Sequence, residues 1–124
     1  MFEGAGSAER YTFPRREHLR ERKDIDRAFG KGVRFSVRGL RLLVLSNGTA
    51  ETRALFVPVR KYGGSVRRNK ARRLASEAFR QLKPHLASGH DFVFVLYPGT
   101  DTFKERSGQV ERVLRLAGVL PREA

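Results

Sequence analysis

The sequence predicts an α+β domain, in which a single-layer, four-stranded mixed sheet carries helices in the order α-β-β-β-α-β-α. Segments with an apolar period of two alternate with segments of helical period, and one of these helices interrupts the strands. A chain of 124 residues is long enough for one core and too short for two. Residues 15–120 are predicted to form this domain, and residues 1–14, which are mostly small and polar, to form a flexible arm.

The first half of the chain predicts one helix and three strands. Residues 19–29 carry apolar side chains at helical spacing, and Gly30 and Gly32 are expected to end this helix. Strands are expected over residues 33–37, 39–45 and 52–59, with a turn at Asn47-Gly48. Pro58 lacks an amide donor, so it fits only an edge, a bulge or the end of the third strand.

The second half predicts a long helix, a strand and a closing helix. The helix runs to about Lys83, because the following Pro84 disfavours its continuation. Residues 91–97 are apolar on both faces, which is typical of a central strand. Asp91, which precedes the apolar run, is expected in a turn. Residues 103–117 are amphipathic and predict a final helix, weakened by Gly108.

The most informative stretch is the basic segment over residues 60–73. Seven of its 14 residues are lysine or arginine, none is acidic, and the first carboxylate after it is Glu77. The whole chain has a net charge of +13 and a pI near 11.3. Charge of one sign at this density repels itself unless a polyanion lies against it, so the segment predicts a phosphate-backbone partner.

A helical wheel divides the long helix into two sectors. The apolar sector predicts a core-facing stripe, made of Ala71, Leu74, Ala75, Ala78, Phe79 and Leu82. A separate polar sector, termed the basic ridge, is made of Asn69, Arg72, Arg73, Ser76, Arg80 and Lys83. Arg67 and Arg68 are expected in the first helical turn, over the sheet edge. The absence of mixed charge signs favours a binding surface over a solvated face.

Other classes of function find little support in the sequence. There is no cysteine, so disulfides and thiolate zinc sites are excluded, and the three histidines show no metal-ligand spacing. We recognise no nucleotide-binding loop, hydrolase or metalloprotease motif, and therefore expect no catalytic residue in the protein itself. No apolar run approaches a membrane span, and the N-terminus does not resemble a signal peptide, so a cytoplasmic location is expected.

The basic segment resembles the signature of the bacterial ribonuclease P protein component, with its Arg-Asn-Arg box. The matching residues are Arg60, Lys61, Gly63, Val66, Arg68, Asn69, Lys70, Arg72, Arg73 and Glu77. Their spacing is unbroken. Lys70 stands where the box has its second arginine, and Ser76 stands where another basic residue is common.

The resemblance implies a function and a set of partners. It implies the protein subunit of an endoribonuclease that removes the 5′ leader of precursor tRNA. A catalytic RNA subunit performs the hydrolysis with Mg²⁺, which the RNA holds without a dedicated protein site. It also implies a rare left-handed β-α-β crossover at the basic helix, for which Gly63 and Gly64 provide the backbone freedom.

The implied contacts fall into two groups. The residues expected to bind the catalytic RNA are Arg60, Lys61, Arg67, Arg68, Asn69, Lys70, Arg72, Arg73 and Arg80. The residues expected to line a cleft for the single-stranded leader are Ile25, Phe29, Phe35 and Leu43. A structural RNA-binding protein, such as a ribosomal protein, is the alternative, because it is also small and basic. A DNA-binding module is disfavoured, since no helix-turn-helix spacing is present.

Overall fold

The computed structural model describes residues 17–121. In this range the order of helices and strands is the predicted one. The elements are α1 (Arg22–Lys31), β1 (Val33–Val37), β2 (Leu40–Ser46), β3 (Arg53–Pro58), α2 (Ser65–Leu82), β4 (His90–Leu96) and α3 (Phe103–Leu116). Short 3-10 turns at Arg60–Tyr62 and Lys83–His85 flank α2. The predicted arm, residues 1–14, lies outside the described residues.

The four strands form one mixed sheet in the order β1-β2-β4-β3. β2 pairs antiparallel with both β1 and β4, whereas β3 pairs parallel with β4. The predicted central strand is therefore confirmed, because β4 has a neighbour on each side. Pro58 is the last residue of β3, an edge strand, where its missing amide hydrogen costs no ladder bond. The parallel pair β3 and β4 is joined through α2, and the left-handed path of this crossover stays a prediction.

One face of the sheet packs against α2 and α3. The predicted apolar stripe of α2 is confirmed, since Ala71, Ala75 and Phe79 are buried. Phe79 lies edge-on to Phe56 and Phe94, with ring centroids 5.9 and 5.5 Å apart, and the latter two rings stack at 5.1 Å. Such pairs each contribute about 0.5–1.5 kcal/mol beyond their buried area. These contacts fix α2 against β3 and β4 and so set the direction of its outer surface.

The opposite face of the sheet packs against α1. Ala28 of α1 is buried against Leu43 and Val93, with Ile25 packed at the margin. The sheet is a single layer, as predicted, but the helices divide between its two faces. The reason is that β2 and β4 carry apolar residues on both sides, so each side needs a cover.

The first helix begins later and ends later than expected. Leu19 is not helical; its amide donates to the carbonyl of Ala54 at 2.9 Å, and His18 forms a parallel bridge to the same residue. This segment therefore extends the sheet along β3. Gly30 lies inside α1, and Gly32 follows the helix as its C-cap. An exposed glycine lowers helix stability by about 1 kcal/mol without ending the helix, because its amide still bonds.

Asp91 is a strand residue, so the prediction of a turn at this position was wrong. Its carboxylate is 0% exposed and accepts two hydrogen bonds from Arg53, at 2.8 and 2.9 Å. Asn47 donates a third at 2.9 Å. Arg53 also reaches Asp24 of α1 at 3.3 Å. This bidentate pair is strong enough to hold a charge inside the sheet, and it ties β3, β4 and α1 together.

Within residues 17–121, no helix is long and apolar enough to cross a membrane.

Candidate RNA interface

The basic ridge of α2 divides into an open half and a neutralised half. Asn69, Arg72 and Arg73 are exposed at the start of the helix, and the described chain provides no carboxylate partner for the two arginines. Arg72 donates to the Asn69 amide oxygen at 2.6 Å, which orients both side chains. In contrast, Arg80 pairs with Glu77, and Lys83 pairs with Glu17. Free positive charge is therefore concentrated in the first three turns.

The open half of the ridge forms one wall of a groove of about 430 Å³, termed the ridge groove. Its other walls come from the extended segment before α1 and from the edge of β3. The ridge groove is lined by His18, Leu19, Arg20, Ala54, Leu55, Phe56, Asn69, Arg72, Arg73 and Ser76. His18 and Arg20 were not predicted as site residues, because residues 19–29 were expected to be helical and not to lie beside β3. The groove combines an apolar floor with a basic rim, which suits a polyanion that also presents bases.

Arg67 and Arg68 lie in the first turn of α2, as predicted, but both are engaged within the protein. The Arg68 guanidinium donates to the carbonyls of Val59 and Pro58, at 2.7 and 3.2 Å. The Arg67 guanidinium donates to the Asp101 carboxylate at 2.9 Å. These two arginines therefore hold the start of the helix in place, in addition to any contact with RNA.

The turn before α2 presents two further cations. Arg60 and Lys61 are exposed, and neither forms an ion pair with another residue of the described range. Lys70 is also exposed on α2. Gly63 has φ +132° and ψ −162°, a conformation restricted essentially to glycine, as the sequence predicted for this turn. Gly64 instead has an ordinary extended backbone with φ −72°.

A buried polar network supports this turn from below. Arg106 of α3 is 1% exposed and donates to the Tyr62 hydroxyl at 2.6 Å and to the carbonyls of Gly39 and Tyr97, at 3.1 and 3.0 Å. The Tyr62 hydroxyl in turn donates to Asp101 at 2.5 Å. Nothing in the periodicity of the sequence separates Arg106 from surface arginines, so this network was not predicted.

The network shifts the proton affinities of its members. Burial, with the hydrogen bond to Asp101, raises the pKa of Tyr62 above its ordinary value. Burial acts to raise the pKa of Asp101 as well, but hydrogen bonds from Tyr62 and Arg67 outweigh it, and the pKa is lowered. At neutral pH the network therefore holds one carboxylate, one neutral phenol and two guanidinium groups. Its net charge is +1.

The predicted leader-cleft residues do not all share one surface. Phe29 is 37% exposed and borders a small cavity of about 170 Å³ with Leu43. Ile25 lies nearby, half-buried against the α1 face of the sheet. Leu43 is 1% exposed, so it forms the floor and offers no open face. Phe35 packs on the opposite side of the sheet, against the α2 and α3 core, and cannot join Phe29.

Two arginines complete this cavity in place of Phe35. Arg34 and Arg41 line it together with Val95, and the Arg34 guanidinium donates to the Phe29 carbonyl at 3.1 Å. The strand register explains why Arg34 and not Phe35 lines this cavity. Arg34 is paired with Leu43, which faces α1, whereas Phe35 is paired with Leu42, which faces the α2 and α3 core. The alternation of strand residues could have found Arg34, because neighbours on a strand point to opposite faces.

Comparisons with known proteins identify related sequences and structures. The sequence profile of the Ribonuclease P family matches residues 13–117. The ribonuclease P protein component of Chloroflexus aurantiacus is 38% identical over 85 residues, which cover 64% of this chain and 63% of that protein. The protein component of Borrelia duttonii is 33% identical over 82 residues, covering 65% and 72%.

Solved structures show the same fold. The RNase P protein of Staphylococcus aureus superposes with a TM-score of 0.77 at 23% identity, covering 85% of this chain and 98% of that one. The RNase P protein of Thermotoga maritima gives 0.72 at 27% identity, covering 81% and 96%. The profile spans the sheet, all three described helices and the basic segment. The chain therefore belongs to the ribonuclease P protein family, as a protein component of that endoribonuclease.

Proposed function

We propose that the protein binds the catalytic RNA subunit of ribonuclease P through the open half of the basic ridge, and assists cleavage of precursor tRNA in the cytoplasm. The observation that carries this proposal is the clustering of unpaired cations around the ridge groove. Arg72, Arg73 and Lys70 point outward from a helix whose other side is fixed in the core. Arg60 and Lys61 are also exposed, in the turn before α2.

Binding of this kind is expected to be electrostatic and directed to the RNA backbone. Each phosphate contact releases counterions, so affinity falls with salt by about 0.7–0.9 units of logarithmic slope per contact. A-form RNA hides base edges in a deep, narrow groove, so shape and phosphates dominate recognition. Asn69, whose amide oxygen is occupied by Arg72, retains its amide donor for a phosphate or a 2′-hydroxyl.

We propose that the magnesium ions are bound by the RNA and not by the protein. Among residues 17–121, no three histidine, aspartate or glutamate side chains are grouped so that they could hold a metal ion. The carboxylates nearest the basic surface, Asp101 and Glu77, are already bonded to Arg67 and Arg80. These contacts support the proposal that the RNA, and not the protein, holds the magnesium. Cations of the ridge would instead reduce repulsion between two RNAs and so lower the magnesium concentration that they need.

The leader of precursor tRNA is proposed to pass over the α1 face of the sheet. Phe29 offers an exposed aromatic ring, and Arg34 and Arg41 offer charges for the phosphates. Base stacking on an aromatic ring contributes about 1–3 kcal/mol per base and tolerates any sequence. Ile25 and Leu43 support this surface from beneath, in place of the direct contact expected for them.

The test is cleavage of a 5′-extended precursor tRNA at low Mg²⁺ by a bacterial ribonuclease P RNA, with and without the protein. Cleavage only when both are present supports the proposal. Tight binding of the RNA without rescue of cleavage would favour the structural RNA-binding alternative. Cleavage by the protein alone would contradict the assignment of catalysis to the RNA. The double variant Arg72→Ala, Arg73→Ala serves as the binding-deficient control.

A further inference from the structure

A second groove lies at the end of the sheet where α2 and α3 both begin. It follows the loop over residues 97–102 and has a volume of about 490 Å³. Sites for small organic ligands usually span about 300–1,000 Å³. This groove, termed the loop groove, is lined mainly by Arg38, Tyr97, Pro98, Glu105, Gln109 and Arg112. None of these residues belongs to the surfaces described above.

The rim of the loop groove carries two uncompensated positive charges. Arg38 is in the turn between β1 and β2, and Arg112 is on α3; both are exposed and form no ion pair within residues 17–121. The one carboxylate in the lining, Glu105, is occupied by Thr100, which donates from its amide and its hydroxyl at 2.8 Å each. These bonds lower the pKa of Glu105, so it stays a carboxylate, and its oxygens lie against Gly99 of the loop. Two arginines and one carboxylate leave the described lining with a net charge of +1. The groove therefore favours an anion.

A hydrogen-bond donor is available at the floor of the loop groove. Gln109 is only 4% exposed, and its amide oxygen accepts from Arg106 at 2.9 Å. Arginine has no acceptor, so this bond fixes the orientation of the amide. The nitrogen Nε2 faces Gly39, where a Cβ atom would lie 2.4 Å away, and it has no hydrogen-bond partner in the described chain. This nitrogen is not one of the fully enclosed polar atoms that lack a partner, so it is open to a ligand or water in the groove.

An aromatic residue, Tyr97, lines the groove together with Gln109, and hydrogen bonds hold its backbone in place. Tyr97 is half-buried; its amide donates to the Gly39 carbonyl at 3.1 Å, and its own carbonyl accepts from Arg106 at 3.0 Å. Pro98 follows and restricts the backbone. An aromatic ring near arginines and an amide donor is the combination by which proteins bind unpaired bases.

We propose that the loop groove binds one single-stranded nucleotide of the ribonuclease P RNA subunit. Arg38 and Arg112 hold its flanking phosphates, Tyr97 stacks on the base, and Gln109 donates to the base edge or the ribose. This inference rests on the proposed function, in which α2 docks on the same RNA. The bond between Arg67 and Asp101 joins the loop to the start of α2, so one RNA can reach both surfaces.

The RNA subunit is favoured over the tRNA leader by the position of the groove. Gln109 and Arg112 belong to α3, which covers one face of the sheet, whereas Phe29 borders the other face. A leader that lies along Phe29 and Arg41 would have to pass around the sheet to enter the loop groove.

The experiment measures affinity of the full-length protein for a bacterial ribonuclease P RNA over a series of KCl concentrations. Arg38→Gln with Arg112→Gln is expected to lower affinity and to reduce the salt slope by about 1.4–1.8 units, the value for two phosphate contacts. The matched control is Arg22→Gln with Lys23→Gln, which removes the same charge from exposed α1 positions paired with Asp26 and Glu21. It is expected to leave the slope within about 0.5 units of the wild-type value.

Tyr97 supplies a second, uncharged readout. Tyr97→Leu is expected to lower affinity about tenfold with no change of salt slope, because stacking releases no counterions. Tyr97→Phe keeps the ring and is expected to retain wild-type affinity. Thermal unfolding of each variant identifies any that fail to fold, and the arginine pair, which is exposed, then still tests the site.

The outcomes separate this inference from the proposed function. Equal slopes for the groove variant and its α1 control would overturn the loop groove as an RNA site. If Arg72→Ala with Arg73→Ala still weakens binding in that case, the docking of α2 stands alone. Loss of affinity only for precursor tRNA, measured with the assembled holoenzyme, would overturn the assignment to the RNA subunit.

Discussion

Arg68 points back into the protein, with its guanidinium 2.7 Å from the carbonyl oxygen of Val59. It is the first residue of the family's Arg-Asn-Arg box, yet it closes the junction between β3 and α2. Arg72 and Arg73, one turn further on, face the ridge groove. Residues of one basic motif therefore divide into those that hold the surface in place and those that present charge.

This division predicts that replacing Arg68 lowers the stability of the protein more than replacing Arg73. Arg68→Ala removes charge-assisted hydrogen bonds and is expected to lower the free energy of unfolding by about 1.5–3 kcal/mol. Arg73→Ala is expected to change that energy by less than about 0.5 kcal/mol, since Arg73 is exposed. Urea unfolding of both variants measures the contrast. Equal stabilities would contradict the structural role of Arg68.

The salt dependence of RNA binding provides the complementary prediction. Combined replacement of Arg68, Arg72 and Arg73 by alanine is expected to reduce the slope by about 1.4–1.8 units, the value for two phosphate contacts, and not by about 2.1–2.7 units, the value for three, because Arg68 is bonded within the protein. Binding isotherms in a KCl series measure the slope. A reduction of about 2.1–2.7 units would show that Arg68 leaves Val59 on binding, and an unchanged slope would refute docking through the ridge.

The buried pair of Arg53 and Asp91 predicts a large loss of stability. Among residues 17–121, Arg53→Ala would leave the fully buried Asp91 carboxylate with Asn47 as its one side-chain donor, at an expected cost of about 3 kcal/mol in unfolding free energy. Arg27→Ala removes an exposed arginine from Asp24, which keeps its pair with Arg53, and is expected to cost less than about 1 kcal/mol. Chemical denaturation of both variants gives the comparison. Similar costs would contradict the tie between β3 and β4.

Asp101 predicts a stability change at acidic pH. Its pKa is lower in the folded protein than in the unfolded chain, because Tyr62 and Arg67 bond to the charged form. Its contribution is therefore present above the unfolded pKa, near 3.9, and is lost as the pH falls toward the folded value. Wild type should exceed Asp101→Asn in stability at pH 7, and the difference should shrink below pH 4. A difference independent of pH would exclude this ionisation as the cause.

Replacing the two phenylalanines that were predicted for the leader cleft is expected to have different effects, one on substrate affinity and the other on stability. Phe29→Ala should weaken holoenzyme affinity for a precursor with a 5′ leader, by about tenfold for one stacked base, without affecting a substrate that lacks the leader. Phe35→Ala should instead lower stability by about 2 kcal/mol, less than the 3–5 kcal/mol of a fully buried ring, because Phe35 is half-buried. Filter binding and urea unfolding measure the two effects.

The spacing of apolar residues was sufficient to predict the helices and strands, because it reflects which side chains are buried. The stripe from Ala71 to Phe79 and the two-faced strand β4 are confirmed for this reason. Long-range pairing was not accessible in this way. Asp91 was misplaced because its partner, Arg53, is 38 residues away in sequence. Phe35 was assigned by its aromatic character, whereas the register with Leu42 decides its face.

The candidate site was predictable where charge density alone identifies it. Arg72 and Arg73 face outward, as the helical wheel required. The inward bonds of Arg67 and Arg68 depend on Asp101 and on the carbonyls of β3, which the wheel cannot show. Arg106 was missed because a buried arginine is indistinguishable in sequence from a solvated one.

The bridge between His18 and Ala54 has a consequence for self-association of the protein. β3 is an edge strand, and an uncovered edge is a template for pairing with strands of other chains. The segment at His18 and Leu19 occupies part of that edge, and Pro58 interrupts the rest. The other edge, β1, carries the exposed charge of Arg34. The segment before α1 thus covers part of this edge, and its loss would expose β3 to pairing with strands of other chains, beside the proposed RNA interface.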